Sequence, residues 1–549
     1  MKNNFYITTP IYYVNDRPHL GHAYTSVACD VLARFNRLSG VKVKFLTGTD
    51  EHGQKVEKSA EKAGIACQQF VDGVSQHFRD LAALMNISND DFIRTTEPRH
   101  AKAAQALWQK MEALGHIYLG SYSGWYSVRD EAYYQESELV GGKAPTGAEV
   151  EWVEEPSYFF DLSKWGDKLL NYYEKNPDFI APASRRNEII SFVRGGLKDL
   201  SISRTSFSWG IPTPTACHPE HNTCHPERSE GSCTNSKAPS VAKLPQDDKQ
   251  KHIMYVWLDA LTNYLSALGY PDENAQDYQD FWANPNAIKM HMVGKDIIRF
   301  HTVYWPAFLM AADLPLPTKV FAHGWWTIEG EKMSKSLGNV IAPADLVAEF
   351  GLDQTRWFMM REVPFGNDGN FSRERMVAVI NSELANNIGN LTQRTLSMVA
   401  KNCGGKVPDF TPASDEGANV LAHAYSLEAI NNEMSHCNFS VVAQYLLSLA
   451  SLANGYIDIS APWKLKEENP IRMNHILYVL SETIRCLAIK LQPFIPTSSS
   501  KMLDLLAIPL ENRGFEHLSA DFALKSGAPL PPPEPVFPRF VEKTVEKGE

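Results

Sequence analysis

The chain opens with a strand, a helix and a second strand in close succession, and that order commits it to a parallel sheet. "FYITTPIYY" (5–13) is aromatic and β-branched and reads as a buried strand running into a loop. "LGHAYTSVACDVLARFNRLSG" (20–40) carries apolar residues at Val27, Val31, Leu32, Phe35 and Leu38 before Gly40, the pattern of an amphipathic helix with a glycine stop. "VKVKFLTGTD" (41–50) is another strand, and its carboxyl end delivers Asp50 into "TDEHG". A βαβ unit of this kind pairs its strands in parallel and places ligands at their carboxyl ends.

The chain's 549 residues are too many for one core and imply three or four domains. From about 116 to 250 the pattern changes to short aromatic strands ("GSYSGWYSV", "SYFFDL") and turns, as an insertion splitting the sheet would. The βα rhythm resumes in "HIMYVWLDALTNYLSAL" (252–268), "IKMHMVGKDIIRFHTVYWPAFLMAA" (288–312) and "KVFAHGWWTI" (319–328). After Phe371 apolar spacings of three and four predict helices for about 150 residues, and "GAPLPPPEPVFP" predicts an extended surface tail.

Apolar residues make up 44% and charged residues 21%, and no apolar run approaches a membrane span. The first residues lack a signal-peptide layout, and eight cysteines in so long a chain make no disulfide framework, so a reducing cytoplasm is expected. A net charge of −11 disfavours indiscriminate binding to DNA or acidic membranes but leaves RNA open, because local basic patches set that contact.

Two short stretches carry chemistry. "PHLGH" (18–22) lies between the first strand and helix, where His19 and His22 share a face. Gly21 leaves room for a planar group, and the free N–H groups of a helix start favour a polyphosphate. The plain alternative is a histidine pair that caps the helix. "GEKMSKSLGN" (330–339) places Lys332 and Lys335 with Met333, Ser334 and Ser336 between glycines, a basic loop able to neutralise a leaving pyrophosphate, or simply a solvated turn.

The two motifs together, separated by βα units and a large insertion, resemble the signatures of class I aminoacyl-tRNA synthetases. "TTPIYYVNDRPHLGHAYT", "FLTGTDEHG", "YVWLDALTNY", "GKDIIRFHTVYWPA" and "GNLTQRT", in order along nearly the whole chain, are similar to methionyl-tRNA synthetases. That resemblance implies an α/β protein, a split Rossmann-type parallel sheet with an inserted connective domain, followed by an all-α anticodon-binding bundle. The implied ranges are 1–115 and 252–325 for the catalytic halves, 116–251 for the insertion and 326–375 for the stem-contact region. The bundle would span 376–525 and the tail 526–549.

The resemblance further implies that Asp50 takes the α-ammonium of L-methionine in a pocket of Ile11, Tyr13, Trp257, Tyr264, Ile297 and His301. Aromatic walls suit an apolar, polarizable thioether, and Tyr13 and His301 offer polar hydrogens near its weakly accepting sulfur. His19 and His22 would hold the phosphates of ATP, Gly21 admit the adenine, and Gly294 with Asp296 meet the ribose. Lys332 and Lys335 would follow the reacting phosphates with Mg²⁺, catalysis coming from positioning and electrostatics without a side-chain nucleophile. Asn390, Arg394 and Trp463 would read the anticodon of tRNA(Met), initiator and elongator, by stacking and base-edge hydrogen bonds. Without the resemblance Trp463 reads as a core residue after a helix-starting proline.

Some relatives hold zinc in a knuckle of the insertion; here Ser127, Asp130, Lys143 and Thr146 stand about where ligands would be, so no zinc is expected. "CHPEHNTCHPERSEGSC" (217–233) holds three cysteines and three histidines, yet its irregular spacing and the low apolar content of 217–247 predict a disordered surface loop rather than a metal site. Some relatives also dimerise through an added carboxyl-terminal domain that this sequence does not show, so a monomer is expected. Two other readings stand beside this one: a class I synthetase for a different apolar amino acid, and a tRNA-binding paralogue without catalysis, against which the two intact motifs argue.

Overall fold

The computed structural model describes residues 4–14, 17–129, 132–134, 136–214, 251–328, 331–332, 341–411 and 416–542. Its centre is a parallel sheet in the order Tyr12–Tyr13, Val43–Asp50, Phe5–Thr8, Ile288–Gly294, Lys319–His323, Ile180–Ala181, with Asp91–Arg94 also pairing Val43–Asp50. Phe5–Thr8 is central and wholly buried, and Ile7 lies level with Phe45 on one side and Met290 on the other. Three strands therefore end together and bring Asp50, Gly294 and His323 to one edge.

Side-chain alternation along the central strand divides the interior in two. Phe5 and Ile7 face helix Leu20–Leu38, in a core that runs on through Trp357, Ile388, Leu446 and Ile484 of the carboxyl-terminal helices. Tyr6 faces the other way, toward Trp108, Leu258, Tyr264, Trp282 and Trp305. The helical region is thus fused to one face of the sheet by continuous apolar packing. It holds the long helices Phe439–Ser460 and Pro470–Leu491, and the second of these is buried along most of its length.

The insertion carries the expected aromatic strands, Ile117–Ser127 and Glu151–Phe160, paired antiparallel, with Leu200–Ser201 beside them. Its later part departs from the strand-and-turn reading. Gly166–Lys175 and Ala183–Arg194 are helices, and Leu169, Tyr173, Ile189 and Val193 join the core behind the sheet. Between them Ile180–Ala181 supplies the sheet's edge strand. Ile253–Met254, read as resuming the βα rhythm, instead pairs antiparallel with Ser203–Arg204 outside the central sheet.

The proline-rich end is extended but is not merely on the surface. Phe537 is buried, Phe540 packs its ring 5.1 Å from Phe350, and the Phe540 backbone exchanges hydrogen bonds with the Asn381 amide (3.1 and 2.8 Å). Prolines suit such a segment because it needs no ladder of its own, while its aromatic residues anchor it.

Residues 217–247 lie outside the described residues, but their flanks meet: Pro212 bridges Ile253, and Thr213 N–H donates to the His252 carbonyl at 3.0 Å. A segment that leaves and returns at one point changes loop-closure entropy by only about 0.6 kcal/mol per doubling of length. Replacing 217–247 by a short Gly/Ser link should leave Tm within about 5 °C, any change being upward. Elemental analysis of untagged protein should find the same metal content before and after; a zinc ion lost with the segment would reverse the reading of its cysteines and histidines.

Candidate active site

The first helix begins with histidines doing what Ser and Glu do in a capping box. His19 is the N-cap and its Nδ1 accepts from Gly21 N–H at 3.1 Å, while His22 Nδ1 accepts from His19 N–H at 3.1 Å. The rings stack with centroids 3.8 Å apart. With each Nδ1 used as an acceptor, the proton of each neutral ring sits on Nε2. Burial lowers both from the usual histidine value, and for His22 the adjacent His19 lowers it further; Asp296 pulls His19 the other way. The cap and the chemistry of "PHLGH" are therefore one structure: two neutral N–H donors at a helix N-terminus, in a cleft that both rings line. A Cβ on Gly21 would come 3.0 Å from the His19 ring.

That cleft, about 420 Å³, is lined by His19, Gly21, His22, Ile11, Tyr13, Asp50, Trp257, Tyr264, Gly294, Asp296, Ile297 and His301, all singled out from sequence. Trp257 stacks on Phe300 at 3.6 Å, nearly coplanar. Tyr264 is buried and its hydroxyl lies 2.7 Å from His301 Nε2, while His301 Nδ1 lies 3.0 Å from the Ile297 carbonyl. A carbonyl only accepts, so His301 carries its proton on Nδ1. Burial brings its pKa down to about 4, so Nε2 keeps a lone pair and accepts from Tyr264. The expectation that His301 offers a polar hydrogen to a thioether is corrected here: that hydrogen is already spent on Ile297.

Asp50 sits where every neighbouring residue is tied down. Its carbonyl accepts from Val14 N–H at 3.1 Å, and Glu51 N–H donates to Thr95 Oγ1 at 2.9 Å. The buried Glu51 carboxylate takes Thr49 Oγ1 and Arg94 Nε at 2.7 Å each, and its carbonyl takes Trp209 Nε1 at 2.6 Å. Across the cleft, Trp325 Nε1 donates to Asp296 Oδ1 at 3.2 Å, and a Cβ on Gly294 would meet the same oxygen at 2.5 Å. Gly294 is thus needed for Asp296 to fold back over the strand end.

Thr25, Lys55, Arg129, Asn263, His323 and Trp325 also line the cleft and were missed. His323 was findable, since it ends a sheet strand as Asp50 does. Asn263 shares the helical face of Ala260 and Tyr264, but Arg129 arrives from the insertion with no local signal. Lys332 is described only as part of Glu331–Lys332, paired with Trp326–Ile328. Met333, Ser334, Lys335 and Ser336 lie outside the described residues.

Asn390, Arg394 and Trp463 gather elsewhere, in the helical region. Asn390 and Arg394 are one turn apart in Asn390–Asn402, the Arg394 guanidinium lies 5.8 Å from the Trp463 ring, and it also pairs with Asp458 at 2.7 Å. Trp463 is 48% exposed in the turn Pro462–Lys464, so it is not a core residue. Ile459, next to Asp458 in the sequence, is 74% exposed and was not anticipated.

Comparison with known proteins agrees along the whole chain. A family model described as "tRNA synthetases class I (M)" matches residues 5–149, 144–223 and 233–396, and one for the "Anticodon binding domain of methionyl tRNA ligase" matches 407–548. The methionine–tRNA ligase of Rickettsia bellii is 56% identical over 99% of this chain and 100% of its own, and that of Rhizobium meliloti is 51% identical over 98% of each. The solved Mycobacterium tuberculosis methionyl-tRNA synthetase in complex with methionyl-adenylate superposes with a TM-score of 0.88 at 46% identity, covering 98% of this chain and 100% of that one.

Neutral buried histidines couple folding to pH. His301 falls from an ordinary 6.5 to about 4, so between those values the unfolded chain binds a proton that the folded chain refuses. Its contribution is complete above the ordinary value and is lost as pH falls through the folded one, by up to about 1.4 kcal/mol per pH unit. His19, His22, His291 and His323 are shifted the same way. The urea midpoint should fall from about pH 7 to about pH 5, and less steeply in His301→Gln; an equal slope in the variant would refute a neutral buried His301.

Proposed function

The chain belongs to the methionyl-tRNA synthetases, and on that premise we propose how its residues divide the work. It is a class I methionine–tRNA ligase: it activates L-methionine with ATP as methionyl-adenylate and passes the amino acid to tRNA. The observation that carries the reading of the site is a single cleft lined at once by the histidine cap, Asp50 and the aromatic wall.

In this reading the Asp50 carboxylate accepts the α-ammonium, and the thioether lies against Ile11, Tyr13, Trp257, Tyr264, Ile297 and His301 through dispersion rather than hydrogen bonding. The methionine carboxylate then attacks the α-phosphate in line. His19 and His22 donate through Nε2–H to the phosphates, Gly21 gives the adenine its approach, and Gly294 with Asp296 takes the ribose. Lys332 and Lys335, in the loop with Met333, Ser334 and Ser336, neutralise the departing pyrophosphate. The terminal ribose of tRNA next attacks the adenylate. Fixed donors contribute most where charge develops, so the rate comes from positioning.

We assign Mg²⁺ to the phosphates of the bound nucleotide, where it supplies neutralising charge. Among the described residues no group of three His, Cys, Asp or Glu side chains is arranged to hold a metal ion, and magnesium is commonly held through substrate phosphates. We propose no structural zinc in the insertion. Thiolates are missing at Ser127, Lys143 and Thr146; Lys143 pairs with Glu149, and the Thr146 carbonyl accepts from Arg129 at 2.6 Å. Asp130 lies outside the described residues.

Asn390, Arg394 and Trp463 form the proposed anticodon contact for both initiator and elongator tRNA(Met), with no part for DNA or a membrane. Among the described residues no helix is long and apolar enough to cross a membrane. We place the chain in the cytoplasm on the strength of the free cysteines among its described residues and of substrates found there, and we propose that it acts as a monomer.

Methionine-dependent ATP–pyrophosphate exchange tests the activation step. Lys335→Ala should slow it about a hundredfold, the loss of one transition-state charge contact, and a rate within about threefold of the parent would remove that lysine from the chemistry. Trp463→Ala should raise KM for tRNA by about fivefold or more while exchange is unchanged, since a stacking platform contributes about 1–3 kcal/mol. A parallel fall in exchange would mark Trp463 as a folding residue.

A further inference from the structure

Behind the wall that carries Trp257 and Tyr264 lies an ionic group that neither half-reaction uses. Asp259, in the same helix Val256–Ser266, has no solvent exposure. Its Oδ2 lies 2.7 Å from His52 Nδ1 and its Oδ1 lies 2.7 Å from His100 Nε2. Burial pushes its pKa up, but the two histidines outweigh that and bring it down to about 2, so it is a carboxylate in use. His52 stands two residues beyond Asp50. His100 belongs to helix Pro98–Ala113, and its Nδ1 lies 3.0 Å from Ser266 Oγ at the far end of the aromatic helix. One carboxylate therefore joins the segment that presents Asp50, the helix that presents the aromatic wall, and the helix packed against that wall.

Filling space would not require a charge there, since an ion out of water is costly and an apolar residue of similar volume packs as well or better. A buried carboxylate between two N–H donors does fix distances. Other bonds around Asp50 tie its segment to the sheet and to the insertion, through Thr95, Arg94 and Trp209. Among these bonds, the His52–Asp259 bond alone ties that segment to the aromatic helix's own carboxylate.

We propose that Asp259 is a positioning residue for amino-acid recognition: through His52 it sets the separation between the Asp50 carboxylate and the Trp257–Tyr264 wall, so that ammonium and thioether are gripped together. This rests on Asp50 as the ammonium acceptor, as assigned above. The charge on Asp259 then matters to methionine and not to ATP, and it matters through the amino group. Asp259 does not touch substrate; it acts through the two groups that do.

Steady-state exchange on the full-length enzyme tests it, with each variant first shown to be folded by its melting curve. Asp259→Asn should raise KM for methionine about tenfold, with KM for ATP within about twofold and kcat within about threefold. Inhibition by 4-(methylthio)butanoate, which is methionine without its amino group, should weaken less than methionine binding does. A merely structural role would weaken both alike. If Asp259→Asn does not fold, the pair at His52 carries the test: His52→Leu should repeat the effect, and His52→Asn, which keeps an N–H near Nδ1, should restore it. Methionine KM within about twofold of the parent in folded Asp259→Asn or His52→Leu overturns the proposal, as does an equal rise for ATP. Asp50→Asn separates the two levels: unchanged methionine KM in that variant would overturn the assignment of Asp50 itself.

Discussion

A guanidinium with no exposure to solvent holds the parts of this chain in register. Arg356, in helix Leu352–Arg361, donates to Asp30 of the first helix at 2.7 Å. It also donates to the Met85 carbonyl at 2.9 Å, and to the carbonyls of Pro493 and Phe494, beyond helix Pro470–Leu491, at 2.9 and 3.0 Å. Asp30 in turn accepts from Arg34 and from both the backbone and hydroxyl of Ser88. Burial would raise the Asp30 pKa, but Arg356 and then Arg34 bring it below the usual carboxylate value. Removing one partner from such a pair costs about 3–5 kcal/mol, because the other charge stays buried. Arg suits the position because its fixed fork satisfies several acceptors at once, which an ammonium cannot do with the same geometry.

The consequence reaches the cleft. Helix Leu20–Leu38 starts at the histidine cap and is clamped near its middle, at Asp30, to the helical region that carries Arg394 and Trp463. The continuous apolar core along the same face adds area to that clamp. In the proposed reading the adenylate forms at the first place and tRNA is met at the second, and such a ligase needs the two held at a fixed separation. Here a buried ion pair and a shared core hold them.

How much of this was legible in sequence depended on whether the signal was local. The first helix and its stop were, because apolar spacing set one and Gly40, at φ 72°, set the other. The location of a site at the strands' carboxyl ends was legible too, because strand ends share an edge of a parallel sheet, but the residues that meet in the cleft were reached through the family resemblance. The edge strand Ile180–Ala181 was not: two residues before a proline have no periodicity, and only pairing with Lys319–His323 makes them a strand. Wide helical turns at Phe300–Tyr304 and Ile380–Gly389 were invisible for a related reason, since spacings of three and four do not distinguish them from an α-helix. The first of them carries His301, so its exact facing could not be read. The tail's anchors, Phe537 and Phe540, were hidden by a composition that spoke only of prolines.

Buried histidines also set the polarity around the cleft. His301, His291 and His22 are all held well toward the neutral form by burial, and at His301 both ring nitrogens are engaged within the protein. The part of the wall formed by Tyr264 and His301, where the hydroxyl hydrogen and both ring nitrogens are already paired, offers little to a polar side chain, which would lose its water and gain no partner there, at about 1–3 kcal/mol by the measure of protein mutants. A thioether loses almost nothing on entering and gains contact with flat, polarizable rings. On the proposed pocket assignment, polar side chains of methionine's length are refused by desolvation, whereas apolar ones differ from it only by shape and contact, a discrimination of about 1–3 kcal/mol per methylene. The internal hydrogen bond from Tyr264 to His301 works in this account by closing the pocket to polarity, and the ion at Asp259 lies behind that wall without opening it.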